Sequence, residues 1–246
     1  MISRRALLAG LGVVPTSILL DGADAVAAPW VRQDNTVRAW GNVMLIGDST
    51  TTGYLGHLVR SLRASDLGPY RCDLQSARSM HRYNRRYPSA VQAVRNARRN
   101  GYDPSAYVIA VGANDLRYGT RTPQAATTMF DTILSEIGTE RTVGICTIYA
   151  TRPSGAIRFN RYLDEAAQRW PNLHIINWAA LARRNRPWHK PDGYHYTLSG
   201  ARRRNAFLIT AMRDMAITEW NRQNPPPPTT DPGGTTSGST PESTPG

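Results

Sequence analysis

The chain predicts a doubly wound α/β fold, with five parallel strands and helices on both faces of the sheet. Three observations carry this. Apolar, β-rich runs alternate five times with helical stretches. The runs are nearly continuous rather than alternating in polarity, as strands covered on both faces are. No internal repeat or second domain competes with the pattern.

Each element has a local reason. The first run, 43–46, leads into Gly47-Asp48-Ser49, and a helix is predicted over 56–64. The second run, 70–74, is followed by Ser76-Ala77-Arg78-Ser79. Over 89–99 the apolar residues gather on one stripe and the arginines on the other, the mark of an amphipathic helix. The third run, 107–111, opens into Gly112-Ala113-Asn114-Asp115. Thr122-Pro123 and Gly138 are start and stop signals for a helix over 123–137. The fourth run covers 142–149, a helix follows over 158–170, and the fifth run covers 173–178. A last helix, 198–222, begins behind Thr197 as its cap.

The ends read differently. Residues 1–27 combine Arg4-Arg5, an apolar middle and Ala25-Val26-Ala27, the pattern of an export signal of the twin-arginine type cut near Ala27. Residues 224–246 are rich in Pro, Thr, Ser and Gly without a large apolar side chain, so they are expected to be disordered. The folded domain is therefore expected over 35–222, outside the cytoplasm, in the secreted or cell-envelope compartment. No transmembrane span is expected in the mature chain.

Formal net charge is +12, and Lys190 is the only lysine. Guanidinium groups favour carboxylate and phosphate, which makes an anionic envelope surface a candidate partner. The same bias also fits an ordinary solvated surface. Export and the lack of an aromatic–basic repeat argue against nucleic acid. The histidines lack metal-ligand spacing, and no metal or other cofactor is expected. Cys72 and Cys146 fall on non-adjacent predicted strands and read as buried free thiols.

The polar motifs share a place. Ser49, Ala77-Arg78, Asn114 and the pair Asp192/His195 all follow predicted strand ends, on one edge of the sheet. A serine hydroxyl needs a base to act as a nucleophile, and His195 is that base near neutral pH. Asp192 can accept the other imidazole N–H and fix the tautomer. Backbone N–H groups of Ser49 and Ala77, with the Asn114 amide, are the candidate donors to a developing oxyanion. Arg78, Arg117 and Tyr194 flank these motifs as candidate substrate contacts, with a surface or packing role the equal alternative for each. Asp115 reads as a brace for its loop, and Trp178 and Trp188 as core or loop anchors.

Gly47-Asp48-Ser49, Gly112-x-Asn114-Asp115 and Asp192-x-x-His195 resemble, in order and spread, the SGNH (GDSL-like) hydrolase family. The resemblance covers essentially the whole core. It implies a flavodoxin-like three-layer α/β/α sandwich of strand order 2-1-3-4-5, in which two strands separate Cys72 from Cys146. One departure is Ala77, where the family has a glycine whose N–H joins the oxyanion hole. The expected activity is hydrolysis of O-acyl esters, acetyl among them, on an acylated carbohydrate or lipid of the envelope. An acyltransferase using the same residues and a non-catalytic basic glycan- or lipid-binding module are the alternatives.

Overall fold

The computed structural model describes residues 18–21, 42–65, 67, 69–82, 86–116 and 119–225. Five parallel strands form the sheet: β2 (Val43–Gly47), β3 (Tyr70–Leu74), β4 (Ala106–Ala110), β5 (Thr142–Cys146) and β6 (Leu173–Ile176). They lie side by side as β3-β2-β4-β5-β6, so in chain order the parallel strands run 2-1-3-4-5. A further strand, β1 (Ile18–Asp21), pairs antiparallel with β3 and makes the sheet six-stranded. It lies within the stretch read as an export signal, whose apolar run hides a strand of four residues. The rest of 1–27, Arg117 and 226–246 lie outside the described residues.

Side chains leave the sheet alternately to two faces. Met44, Ile46, Tyr107, Ile109, Val143 and Ile145 point to one, beneath α3 (Ala90–Arg99), α4 (Pro123–Ile137) and α5 (Ser154–Arg169). Val43, Leu45, Cys72, Leu74 and Val108 point to the other, beneath α2 (Leu55–Arg63) and α7 (Leu198–Gln223). Three layers result. Phe130 of α4 meets Phe159 of α5 edge to face at 5.2 Å, a pairing worth about 0.5–1.5 kcal/mol beyond its burial. Both cysteines are free and buried, and burial pushes the Cys146 thiol up to about 11.

The helix ends obey their sequence signals. Ser89 and Gln92 form a reciprocal capping box on α3. Thr122 caps α4, with Pro123 in its first turn, and Thr197 caps α7. Near the far end of α7, the buried Glu219 carboxylate accepts from Thr142 N at 3.1 Å and Thr142 Oγ1 at 2.7 Å, tying the helix to the start of β5. Two short helices were not expected: α1 (Ser49–Thr52) and α6 (Trp178–Arg183). Strands β5 and β6 stop earlier than the apolar runs, at Cys146 and Ile176. No helix among the described residues is long and apolar enough to cross a membrane.

Candidate active site

The C-terminal edge of the sheet gathers the polar motifs. After β2 the buried Asp48 caps α1, its Oδ1 accepting from Thr50 N at 2.9 Å and Thr50 Oγ1 at 2.7 Å. That cap fixes the first residue of α1, Ser49, at the mouth of the sheet. Gly47 leaves no room for a side chain here: a Cβ would stand 2.8 Å from Leu74 Cδ2 and 3.0 Å from Thr51 Cβ.

The facing loop, 189–196, folds on itself. His189 and Tyr196 form an antiparallel bridge, Lys190 N donates to His195 O at 2.8 Å, and Gly193 N donates to Lys190 O at 2.9 Å. Asp192 Oδ1 accepts from the backbone N–H groups of Tyr194 and His195 at 2.8 and 2.9 Å. Its Oδ2 lies 3.0 Å from His195 Nδ1. His195 Nε2 lies 3.0 Å from Ser49 Oγ. Desolvation raises the Asp192 pKa, but the two amides and then the imidazole outweigh it and hold the carboxyl at about 2. Asp192 is therefore an acceptor at any ordinary pH, which favours a proton on Nδ1 and leaves Nε2 free to take the Ser49 proton.

Gly193 is needed where it stands. Its φ is +80°, a region that L side chains avoid, and an added Cβ would lie 2.0 Å from Thr151 Oγ1. Thr151 N also donates to Gly193 O at 3.1 Å, pinning the loop to the segment after β5.

The third group of residues comes from the loops after β3 and β4. The N–H groups of Ser49 and Ala77 have no partner among the described residues. Asn114 Nδ2 donates one hydrogen to Arg78 O at 3.0 Å, leaving its second donor available. Asp115 Oδ2 accepts from Met80 N at 2.9 Å and so holds the 76–82 loop against the Asn114 turn, the bracing role its position suggested. Burial pushes the Asp115 carboxyl up to about 7, against the Met80 hydrogen bond and the Arg82 charge. Ala77 has φ 59°, the only non-glycine residue at positive φ among those described. The loop thus demands the conformation that glycine adopts freely, and alanine bears it at a cost of roughly 1–2 kcal/mol.

Arg78 is a correction. It was a candidate substrate contact with packing as the alternative, and it is completely buried. Its guanidinium pairs with Asp73 at 2.5 Å and donates to Asp73 O at 2.8 Å and Pro88 O at 3.2 Å. It anchors the loop from beneath. Tyr194 is half-buried against the core and, with Asp48 and Thr50, lines a cavity of about 20 Å³, room for roughly one water. Trp178 is core, its Nε1 donating to Tyr196 Oη at 2.8 Å beneath the stacked Trp188. His57 bonds to Asn205 and Ser61, while His189 is buried between Tyr149 and Tyr196. No cluster that could hold a metal occurs among the described residues. Thr151, which shapes the loop through Gly193, carries no signal in the sequence.

No family model matches the chain, and no curated protein matches it. Solved structures do. The C-terminal catalytic domain of peptidoglycan O-acetyltransferase A from Streptococcus pneumoniae aligns with TM-score 0.55 at 20% identity, over 70% of this chain and 93% of that one. The psychrotrophic esterase EstA from Pseudoalteromonas sp. aligns with TM-score 0.50 at 15% identity, over 70% of this chain and 97% of that one. A member of the lipolytic protein G-D-S-L family from Veillonella parvula aligns with TM-score 0.47 at 16% identity, over 68% of this chain and 96% of that one. The strand order, the Gly-Asp-Ser, Asn-Asp and Asp-x-x-His blocks at one sheet edge, and the likeness to the first two of these structures together give this chain the SGNH-hydrolase fold.

Proposed function

We propose that this chain is an exported serine ester hydrolase that removes O-acyl groups, acetyl among them, from a glycan or glycolipid of the cell envelope. The observation that carries the proposal is the unbroken chain from Asp192 through His195 to Ser49, each link 3.0 Å long. Ser49 Oγ attacks the ester carbonyl while His195 Nε2 takes its proton. The carbonyl oxygen becomes an oxyanion facing the Ser49 and Ala77 N–H groups and the free Asn114 donor. The carbon–oxygen bond to the alcohol then breaks, and His195 returns its proton to the leaving oxygen. Water repeats the sequence on the acyl-enzyme, releasing the acid and restoring Ser49. Asp192, held ionised, keeps the imidazole oriented and stabilises the imidazolium that forms twice per cycle.

Export is supported by the Arg4-Arg5 leader pattern, and an envelope substrate by that compartment. An acylated carbohydrate substrate also agrees with the peptidoglycan O-acetyltransferase among the similar structures. That neighbour favours a second use of the same intermediate: a sugar hydroxyl in place of water makes the chain an acyltransferase. Product analysis with a glycan acceptor present separates the two. An intact relay weighs against a purely binding role. Labelling by a fluorophosphonate tests the mechanism: the wild-type protein reacts and Ser49→Ala does not. Equal labelling of both, or of neither, defeats the proposal.

A further inference from the structure

A cleft of about 310 Å³ opens past the end of β5, a size that suits a small ligand. Its floor is apolar, built from Ile148, Ala150, Pro153, Ala156 and Ile157, the last 57% exposed. Its rim carries Arg183, in the last turn of α6, and Arg186, in the following 3-10 turn, while no aspartate or glutamate lines it. Several arginines are matched with acids, among them Arg95 with Glu136, Arg98 and Arg141 with Asp103, Arg169 with Asp131 and Arg222 with Glu219, while others such as Arg202 and Arg203 have no ion pair among the described residues. Arg183 and Arg186 make no ion pair or side-chain hydrogen bond among the described residues. Two unmatched guanidinium groups over an apolar floor fit an organic anion, whose carboxylate or phosphate they can bind in a planar fork.

The cleft also has a definite relation to the chemistry. Thr151 is part of its wall and is bonded to Gly193, inside the Asp192–His195 loop. Ile148 and Tyr149 form a wall shared with the small cavity at Asp48 and Thr50. It therefore lies on the histidine side of Ser49. In acyl transfer the oxyanion turns toward Ala77 and Asn114, and the leaving oxygen must meet His195 Nε2 to be protonated. Whatever is attached to that oxygen leaves past the histidine loop, whose Gly193 is bonded to the cleft residue Thr151.

We propose, resting on the serine-ester reading above, that this cleft is the alcohol subsite and that the alcohol released by the enzyme bears an anionic group, carboxylate or phosphate, seated by Arg183 and Arg186. The test uses three aryl acetates that differ in one substituent: 4-acetoxybenzoate, 4-acetoxyphenyl phosphate and the neutral 4-acetoxybenzamide. The readout is the ratio of kcat/KM for each anionic ester to that for the neutral one. In the double variant Arg183→Gln/Arg186→Gln this ratio falls about tenfold, the size expected for charge-assisted contacts at a solvent-reached rim. In the wild type it also falls when salt rises from about 0.05 to about 0.5 M. The arm that falls further, carboxylate or phosphate, names the anion.

A ratio unchanged in the double variant overturns the inference while leaving the serine-ester reading intact, provided that turnover still depends on Ser49. Turnover that survives Ser49→Ala defeats the serine-ester reading itself. Calorimetric titration of 4-hydroxybenzoate and 4-hydroxybenzamide into both proteins reads the same contrast without turnover. Equal affinities in wild type and double variant overturn the subsite on that ground as well.

Discussion

Gly193→Ala puts the geometry of the loop to its hardest test. The residue sits between the carboxylate and the imidazole of the relay at φ +80°, and its missing Cβ position lies 2.0 Å from Thr151 Oγ1 and 3.2 Å from Thr151 Cβ. Two costs add. Holding alanine at positive φ costs about 1–2 kcal/mol. Forcing a methyl group against a β-branched side chain costs about 1–3 kcal/mol more. Gly193 is buried against the half-buried Thr151, so the methyl is expected to push the two segments apart and carry His195 away from Ser49. A displacement of about 1 Å at a reacting group costs on the order of 100-fold in rate. Initial rates on 4-nitrophenyl acetate, with thermal unfolding measured in parallel, should show kcat/KM down about 100-fold and a modest loss of Tm. Adding Thr151→Ala removes the closest clash but not the backbone strain, so the double variant regains part of the rate. Wild-type kcat/KM in Gly193→Ala would refute the argument that this glycine sets the relay.

Asn114→Ala should lower kcat by about 10²–10³ with little change in KM, as expected when a donor to a transition-state charge is lost; a rise in KM alone contradicts the assignment. Ala77→Gly keeps the N–H and removes the left-handed strain at φ 59°, against a gain in unfolded-chain entropy of about 0.4–1 kcal/mol, so stability should stay level or rise by up to about 1 kcal/mol with kcat/KM within about threefold of wild type. Denaturant titration and ester kinetics check both halves, and a clear loss of stability contradicts the strain argument. Asp115 gives a pH signature: its folded pKa, about 7, is raised above the ordinary carboxyl value, so the folded state holds the extra proton between about pH 4 and 7. Stability from this group is present below that window and is lost as pH rises through about 7. Unfolding midpoints measured across the window should fall in wild type and flatten in Asp115→Asn; parallel curves contradict it.

Much of this was legible because polar punctuation follows apolar strands. Gly47-Asp48-Ser49, Asn114 and the Asp192/His195 pair were placed by strand ends and by the family resemblance of their motifs, and the structure brings Ser49, His195 and Asp192 into one hydrogen-bonded line. What stayed hidden depended on contacts remote in sequence. Arg78 stands next to Ala77 and so suggested a groove, but alternation along β3 turns Asp73 inward and the arginine follows it into the interior. The runs 142–149 and 173–178 overran their strands because Thr147, Ile148 and Trp178 are as β-prone as the residues before them. Thr147 Oγ1 in fact accepts from Ala179 N at 2.8 Å, at the start of α6. The fit of Thr151 to Gly193 has no sequence signature, and neither does the absence of acids around Arg183 and Arg186.

The base and its carboxylate come from neighbouring residues in a self-bonded hairpin-like loop, whereas Ser49 reaches them across a sequence separation of 146 residues. Their pairing is a property of the loop; only its docking is a property of the fold. The weakest point of the relay is thus a hinge rather than a bond. His189 and Tyr196 hold the two ends of the loop in the core, so only its tip, 191–195, is free to lift before the strands part, and lifting it would take His195 away from Ser49. Ester turnover is then expected to fall at a lower temperature than the global unfolding transition, and coincident curves would count against a loop that opens first.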